Sequence, residues 1–193
     1  MRRMGFRAKM CYNQGIGFPK GGDFAACASY LYEGAARDVI LRFKFGDSPE
    51  LCADTLADWL CDGFDRHYDG ESFDFAVSIP SFDERPRMEL FVRDFAKRRG
   101  LCYRPELLIK TRPTEKQHRL SAAERRTNLR GAFAASEAVR GKSILLVDDI
   151  FTTGSTVCEC AAALHAAGAK SVSVLTVLRT EDKTEKSDNR KEK

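Results

Sequence analysis

Two neighbouring carboxylates and a short run of small hydroxyl residues are the part of this sequence whose residue types and spacing suit chemistry. Asp148 and Asp149 follow the apolar run 144–147, and the segment 152–156, which reads TTGST, precedes a helical pattern at 157–167. Free N–H groups at a helix start, added hydroxyls and the helix dipole together favour an anion. Two carboxylates beside such a site would repel a bare phosphate, so they need another partner. That partner is either the cis hydroxyls of a ribose or a metal ion carried by a polyphosphate, and a sugar with a 5-phosphate brings hydroxyls and phosphate together.

The elements that must position these residues are typical of an α/β sheet. The run 144–147 has the character of a parallel strand covered on both faces, and 171–178 predicts the next parallel strand. Two other interpretations stay open: an ordinary strand, turn and helix in which the aspartates only cap, or another α/β protein such as a receiver domain or an NTPase. The sequence has no glycine-rich loop ending in Gly-Lys-Ser or Gly-Lys-Thr, which an NTPase would need.

Length and composition predict one folded domain. A chain of 193 residues with 43% hydrophobic content is long enough for one α/β domain and too short for two full-sized ones. We expect an N-terminal segment at 1–22, the main domain at 23–179 and a charged, disordered tail at 180–193 without apolar residues. The net charge of +4 alone does not imply nucleic acid. Residues 85–130, the basic segment, hold 14 Lys or Arg and 5 Asp or Glu, so we interpret this segment as a candidate anion-facing surface.

The sequence carries no pattern typical of export or of a membrane span. The basic start at 1–10 is followed by no apolar core of signal-peptide length, so we expect a cytoplasmic protein. Seven cysteines, an odd number, fit reduced thiols better than a disulfide framework. No Cys-x-x-Cys pair is present to nucleate a metal site, so no zinc is expected.

The chain before the acid pair alternates strands and helices. Strands are predicted at 23–32, 73–80 and 106–109. A helix that ends at 44–46 follows the first strand, and Lys44 is interpreted as a structural residue. Further helices are predicted at 51–64 and at 88–99. The core candidates of the 51–64 helix are large and apolar: Leu51, Leu56, Trp59, Leu60 and Phe64.

Two more stretches are candidates for binding the anionic end of a ligand. A turn of small residues ends the 73–80 strand, and it either flanks the same crevice as 148–156 or is a plain turn. Its candidate residues are Ser78, Pro80 and Ser81. The polar stretch 110–119 is either a lid or a solvated loop, and we favour the lid because a polyphosphate needs mobile cations to cover it. A capping box of Ser121 and Glu124 predicts a short helix after this stretch. The lid candidates are Lys110, Arg112, Lys116, Gln117, Arg125 and Asn128.

Two sequence patterns resemble known phosphoribosyltransferases. The string ILLVDDIFTTGST at 144–156 resembles the motif that binds 5-phosphoribosyl-1-pyrophosphate (PRPP) in the type I enzymes, four apolar residues followed by DDhhTTGxT. A more discriminating pattern joins the strings YEG at 32–34 and ILRFKF at 40–45 to spaced residues further on: Thr114, Gln117, Leu120, Ser121, Glu124, Arg125, Asn128, Gly131 and Phe133. On both patterns, residues 24–178 are similar to the ComF family of predicted phosphoribosyltransferases. Two features of that family are missing. The first is the cysteine-paired zinc ribbon, of which only Cys11 could be a remnant. The second is an Arg-Gly-Phe-Asn-Gln element, and residues 88–91 stand in its place.

The resemblance implies a fold, a ligand and a reaction. The fold is the type I phosphoribosyltransferase fold, a parallel doubly wound sheet flanked by helices, with the PRPP site at strand ends. Asp148 and Asp149, the catalytic candidates, would accept hydrogen bonds from the ribose 2- and 3-hydroxyls. Mg²⁺ would arrive bound to the pyrophosphate rather than be held directly by the chain. Loss of pyrophosphate from C1 and attack by a nitrogen nucleophile would be catalysed by positioning and charge stabilisation. The 5-phosphate would be held by the backbone and hydroxyls of Thr152, Thr153, Gly154, Ser155 and Thr156.

Turnover and partners are not fixed by the resemblance. ComF proteins are associated with natural competence and DNA uptake, so the alternative is a non-catalytic nucleotide-sensing or DNA-handling accessory protein with the same fold. The expected partner is PRPP or a nucleotide that contains ribose 5-phosphate, and a homodimer is left open. Nucleic acid is not favoured, because the sequence lacks the interleaved aromatics of a single-strand binder.

Overall fold

A five-stranded sheet forms the centre of the molecule. The computed structural model describes residues 7–10, 24–80, 87–114 and 128–180. The sheet has the order β1-β2-β7-β6-β3, in which β2, β7, β6 and β3 are parallel and β1 is antiparallel to β2. The predicted parallel sheet is therefore confirmed, with an antiparallel strand at one edge. The strands are β1 Arg7–Met10, β2 Phe24–Leu31, β3 Phe75–Ser78, β4 Leu108–Lys110, β5 Phe133–Ala135, β6 Ser143–Phe151 and β7 Ser171–Arg179.

Helices cover both faces of the sheet. They are α1 Gly34–Phe45, α2 Glu50–His67, α3 Arg87–Arg98 and α4 Ser155–Ala166. Along β6, Ile144 and Leu146 belong to the core beneath α4 and the two-stranded sheet β4–β5, whereas Leu145 and Val147 belong to the core beneath α1, α2 and α3. Successive side chains of a strand alternate between faces, and helices cover both faces of β6, so all four side chains are fully buried. This double burial explains why the run 144–147 is continuously apolar.

Strand β6 is longer than the sequence indicated. Its pairing with β3 ends at Val147, but its pairing with β7 continues from Asp148, opposite Thr176, to Phe151. The expectation that the strand stops at the acid pair is therefore wrong. The two acids lie within β6, on the part that has β7 on one side and extends past the last residue of β3. The two acids interrupt the apolar run after Val147, so the pattern gave no sign that Ile150 and Phe151 continue the same strand.

Helix α1 lies near the carboxyl edge of the parallel strands, and α2 is the helix that returns to the amino edge. Two residues separate β2 from α1, and four separate α1 from α2. Helix α2 packs against β2 and β7 and leads to β3, which must start at the amino edge because it is parallel to β6. Both ends of α1 are thus tied to the edge where the acid pair lies. The sequence predicted both helices but not which of them crosses the sheet.

Three smaller predictions differ from the structure. Leu51 was expected in the core but is 83% exposed. It lies five residues before the buried Leu56, so on a helix it points about 140° away from the buried face. In the predicted strand at 106–109, a 3-10 turn, Pro105–Leu107, comes first, and the strand β4 follows and pairs with β5. Trp59 is only partly buried, with its ring edge against Tyr30.

Some predictions fall outside the described residues. They concern the helix after Ser121, the turn residue Ser81, most of the N-terminal segment and the tail at 181–193. Within the described ranges, no helix is both long and apolar enough to cross a membrane. The six cysteines of those ranges are free thiols, and Cys27, Cys61, Cys158 and Cys160 are buried.

Candidate active site

The acid pair sits where β6 extends past β3. The Asp149 N–H donates a hydrogen bond to Asp148 Oδ1 over 2.8 Å, which fixes the first carboxylate relative to the backbone of the second. Both residues are half-buried. The Ile79 N–H donates to the Val147 carbonyl, so the chain leaving β3 still lies beside β6 one residue before the pair. The pair is therefore at the sheet's carboxyl edge, where open α/β sheets bind ligands.

The two carboxylates face different sides of the sheet. Asp149 points toward α1, where its Oδ2 lies 2.8 Å from Lys44 Nζ, and its side chain is 16% exposed. By strand alternation Asp148 falls on the face of Ile144 and Leu146, which α4 covers, and its charge helps, after burial, to raise the pKa of the buried Cys160 thiol of that helix. Alternation along a strand produces this separation. A ligand that meets both carboxylates must therefore lie across the edge of the sheet rather than on one face.

Burial and mutual repulsion change the protonation of the pair. Burial, and next the charge of Asp149, raise the pKa of Asp148 from 3.8 to about 8, although the Asp149 N–H and the Lys44 charge act in the opposite direction. Without a ligand, the pair therefore keeps a proton well above the ordinary carboxyl range. A ligand that donates hydroxyl groups or carries positive charge favours the doubly ionised pair, so binding and proton release are coupled.

The turn after the acid pair forms the start of α4. Gly154 precedes the helix with a φ of 72°, and a Cβ at this position would lie 2.8 Å from Cζ of the Phe151 ring. Both features require glycine. The first helical hydrogen bond runs from the Cys158 N–H to the Gly154 carbonyl, so the helix makes no use of the N–H groups before it. Thr153 and Ser155 hydroxyls hydrogen-bond each other over 3.0 Å. The result is a helix start close to the acid pair in the chain, whose first N–H groups lie before the helical hydrogen bonds begin.

Lys44 is held in place from three directions. Phe43, the residue before it, is buried and packs edge-on against Phe91 of α3. Gly46 ends α1 so closely that a Cβ would lie 2.4 Å from the Arg42 carbonyl oxygen. Arg87 Nη1, at the start of α3, donates to the carbonyls of Phe43 and Lys44 over 2.8 Å each. The side chain that reaches Asp149 therefore leaves from a fixed helix end.

The turn after β3 was a candidate for binding an anion, but the hydroxyl of its first candidate residue already has a partner within the fold. Ser78 is 5% exposed, and its hydroxyl lies 2.8 Å from the hydroxyl of Tyr103. Burial raises the pKa of Tyr103 to about 12, so this hydroxyl stays protonated and the pair is a neutral hydrogen bond. Pro80 follows at the same edge and is half-buried. The Ser78 side chain is thus engaged beneath the turn, while Ser81 lies outside the described residues.

The described parts of the predicted lid are its two ends. Lys110 Nζ donates to Thr114 Oγ1 over 2.7 Å, and Arg112 Nη2 donates to the carbonyls of Asn128 and Arg130 over 3.0 and 2.9 Å. Arg112 thus joins the chain before the lid to the chain after it. The remaining lid candidates, Lys116, Gln117 and Arg125, lie outside the described residues.

A buried carboxylate connects the second end of the lid to α4. Glu159 is 7% exposed and accepts a hydrogen bond of 3.2 Å from the Gly131 N–H. Burial raises its pKa, and the charges of Arg130 and Arg112 oppose that rise. Neither Glu159 nor Lys44 was a site candidate in the sequence. A spacing argument could have found Glu159, since it lies on α4 one turn beyond Ser155, but the fold alone brings Lys44 to Asp149.

Much of the basic segment is neutralised within the fold. Arg98 of α3 pairs with Asp54, Asp58 and Asp94, and Arg99 pairs with Asp65. Arg93 and Arg104 pair with nearby glutamates. The interpretation of residues 85–130 as one anion-facing surface is therefore wrong for its α3 part, because the acids of α2 meet these arginines.

Comparison with known proteins assigns the class of fold. The family described as the phosphoribosyl transferase domain matches residues 109–192, a range that includes the acid pair and the turn before α4. The sheet, the helices on both faces and this match together define a type I phosphoribosyltransferase-like protein. Competence protein ComFC of Streptococcus pneumoniae is 30% identical over 158 residues, which are 79% of this chain and 67% of that protein. The chain belongs to the ComF family of phosphoribosyltransferase-like proteins.

Other relatives match shorter parts of the chain. DNA utilization protein YhgH of Escherichia coli O157:H7 is 47% identical over 75 residues, which are 39% of this chain and 33% of that protein. Its counterpart in Salmonella typhi is 35% identical over 113 residues, so the chain spans one third to one half of these relatives. Among solved structures, the glutamine PRPP amidotransferase of B. subtilis has 21% identity and a TM-score of 0.49 and covers 70% of this chain and 30% of its own.

Proposed function

We propose that this protein binds PRPP at the carboxyl edge of β6 and transfers its phosphoribosyl group to a nitrogen nucleophile, releasing pyrophosphate. The observation that carries the proposal is the junction of the acid pair with a helix start that offers N–H donors, within residues 148–157. Carboxylates suit ribose hydroxyls, and the helix start suits a 5-phosphate. A ligand that carries both groups on one ribose unit fits this combination better than a free phosphate or a free sugar.

In this proposal the hydroxyls and the phosphate are held by different elements. Asp148 and Asp149 accept hydrogen bonds from the ribose 2- and 3-hydroxyls, and Thr152, Thr153, Gly154, Ser155 and Thr156 surround the 5-phosphate. As pyrophosphate leaves C1, positive charge develops on the ribose ring, and the ionised acid pair stabilises it. The chain's contribution is thus to hold the ring and to favour its charged state, while the acceptor supplies the attacking nitrogen.

Magnesium enters the proposal as part of the substrate. Among the described residues, no group of three or more His, Cys, Asp or Glu side chains could hold a metal ion. The hard oxygen ligands that Mg²⁺ prefers come instead from the pyrophosphate and water. Because such a polyanion does not cross a bilayer unaided, the proposed reaction belongs in the cytoplasm.

A second candidate function is a non-catalytic accessory role in nucleotide sensing or DNA handling. It is favoured by the names of the relatives, which describe a competence protein and DNA utilization proteins. It is disfavoured by the arginines of α3, whose charges are matched by acids of the same fold. The two candidates share the PRPP site and differ in turnover.

A binding titration followed by a turnover assay tests the proposal. PRPP with Mg²⁺ is titrated calorimetrically into the protein and into Asp148→Asn/Asp149→Asn. The double variant should lose roughly 1.5–3 kcal/mol of binding for each charged hydrogen bond removed. Asp74→Asn is the matched control, since Asp74 accepts from the Ser143 N–H at the opposite end of β6 and should not affect binding.

Pyrophosphate release is then measured with purine, pyrimidine and amine acceptors. Release with one acceptor class, lost in the double variant, supports the transferase. Tight binding without release from any acceptor supports the accessory role instead. If the double variant binds PRPP as the parent does, the ribose assignment is wrong.

A further inference from the structure

The proposed reaction assigns no role to the ion pair between Lys44 and Asp149. The Lys44 side chain is one third exposed, and the Asp149 side chain that it meets is much less so. An ion pair on an open surface contributes little, but one beside a second, half-buried carboxylate changes the charge of the whole site. The acid pair with Lys44 carries one negative charge when fully ionised instead of two.

We propose that Lys44 is the positioning residue of this site: its ammonium group turns Asp149 toward α1 and lets both carboxylates ionise when a ligand donates hydroxyl groups to them. For the identity of the ligand this inference rests on the proposed function. Its electrostatic part concerns the acid pair alone and holds for any ligand.

The geometry argues for a fixed cation. The helix end that carries Lys44 is constrained by the buried ring of Phe43, by the tight exit at Gly46 and by the two hydrogen bonds from Arg87. A lysine side chain normally loses rotamer entropy when it forms a pair, which weakens surface pairs. Here the backbone is already fixed, so less freedom remains to be lost. Arg87 also places a cation against the carbonyl end of α1, which favours the helix terminus.

Among the described residues, Lys44 is the cation that contacts the acid pair from the α1 side. From α4, the buried Cys160 thiol is influenced by the charges of both Asp148 and Glu159, and burial opposes the ionisation of Cys160 and of Glu159. From β4, Lys110 acts on Cys160. From β7, Arg179 lies opposite Phe151 in the register, beyond the acids. Of the charges that act on Asp148, Asp149 opposes its ionisation and Lys44 favours it.

Removal of Lys44 should therefore raise the pH at which half of the acid pairs have lost their second proton. Without the ammonium group, the second carboxylate of the pair ionises at higher pH, because only the Asp149 N–H bond still opposes burial and repulsion. For Lys44→Met we expect the midpoint of this ionisation to rise by up to about one pH unit, and ligand affinity near neutral pH to fall by up to about tenfold. Lys44→Arg restores a cation at the same helix end and should return the midpoint most of the way.

Lys142→Met is the matched control. Lys142 Nζ lies 3.1 Å from Asp74 at the opposite end of β6, so this variant removes the same charge and the same type of ion pair away from the acids. It should leave both the midpoint and the affinity unchanged. Circular dichroism and thermal melting of each variant establish that the fold is retained.

Two measurements separate this inference from the proposed function. The first follows the side-chain carboxyl ¹³C shifts of the acid pair against pH in ligand-free protein, and the second titrates ribose 5-phosphate and PRPP with Mg²⁺ between pH 5.5 and 9. If neither ligand binds the parent protein, the proposed function fails, while the carboxyl titration still decides the role of Lys44. An unchanged carboxyl midpoint in folded Lys44→Met overturns the inference. So does an equal shift in Lys142→Met, because the effect would then be one of net charge.

Discussion

Asp148→Asn should make the ligand-free protein more stable, by an amount that grows with pH. The pKa of Asp148 rises from 3.8 to about 8 on folding, mainly through burial and then through Asp149. A carboxyl group with a raised pKa in the folded state opposes folding once the unfolded chain ionises. Its stability contribution is fully present below pH 3.8 and is lost as the pH rises toward 8. At pH 7, about 1.36 kcal/mol per pH unit gives a ceiling of about 4 kcal/mol.

The realistic gain is smaller, because the carboxyl is half-buried and the pair can move and admit water. We expect Asp148→Asn to be more stable than the parent by about 1–2 kcal/mol at pH 7. Asparagine keeps the size of the side chain and the acceptor for the Asp149 N–H. Urea unfolding at pH 4, 5, 6, 7 and 8 measures the difference, which should be small at pH 4 and rise steadily.

A control with the opposite sign comes from Asp74. The Ser143 N–H, and next the hydrogen bond from Lys142, lower the pKa of Asp74. Its contribution to stability is therefore present above its unfolded pKa and is lost as the pH falls through the folded value, so Asp74→Asn should be less stable at neutral pH. If the gain of Asp148→Asn were constant between pH 5 and 8, or if it shrank as the pH rose, the raised pKa would not be its cause.

Three further predictions follow from the turn and from the basic segment. Gly154→Val should destabilise the fold and abolish ribose 5-phosphate binding, since a Cβ meets the Phe151 ring; Gly141→Val, with similar φ but open space around it, should cost stability without affecting the ligand. Thr152→Ala or Thr156→Ala should each weaken phosphate binding by about 1 kcal/mol in calorimetry. Neutralising Lys110, Arg112 and Lys116 together should lower PRPP affinity or turnover, and PRPP should protect the loop of the parent protein from trypsin. If DNA affinity falls instead, with a salt slope reduced by about 0.9 per phosphate contact, the basic segment serves nucleic acid.

The fold could be predicted where one physical cause determined the sequence pattern. Burial on both faces makes 144–147 continuously apolar and 171–178 rich in valine and leucine, and the structure has parallel strands there. The helix start at Ser155 was predicted within two residues because a glycine and hydroxyl residues precede it. The end of β6 was missed, because Asp148 and Asp149 interrupt the apolar run although the pairing with β7 continues through Ile150 and Phe151. Hydrogen bonds between backbones do not depend on the side chains, so a strand that continues through two acids cannot be recognised from its residue types.

The acid pair could be located from sequence, but its electrostatic partner could not. Lys44 is separated from Asp149 by more than a hundred residues, and at the end of an amphipathic helix a lysine normally needs no explanation beyond the dipole. Its contact with Asp149 depends on α1 lying at the carboxyl edge instead of crossing the sheet. That placement follows from short connections and from the packing of α2, which are properties of the assembled fold.

The charge of the basic segment shows why net charge along a chain differs from charge on a surface. An arginine contributes to a field outside the protein only if the fold leaves it without a nearby acid. Arg98 and Arg99 face the carboxylates of α2, a helix whose acids lie outside the basic segment, so counting residues 85–130 by themselves overstated the field. Among the described cations, Lys44 contacts Asp149, while Lys110 and Arg112 make their contacts at the start of the predicted lid, so these cations come from two distant parts of the sequence. A small anionic ligand bound at the edge of the sheet can meet cations arranged in this way, whereas a long nucleic acid needs a continuous stripe of them.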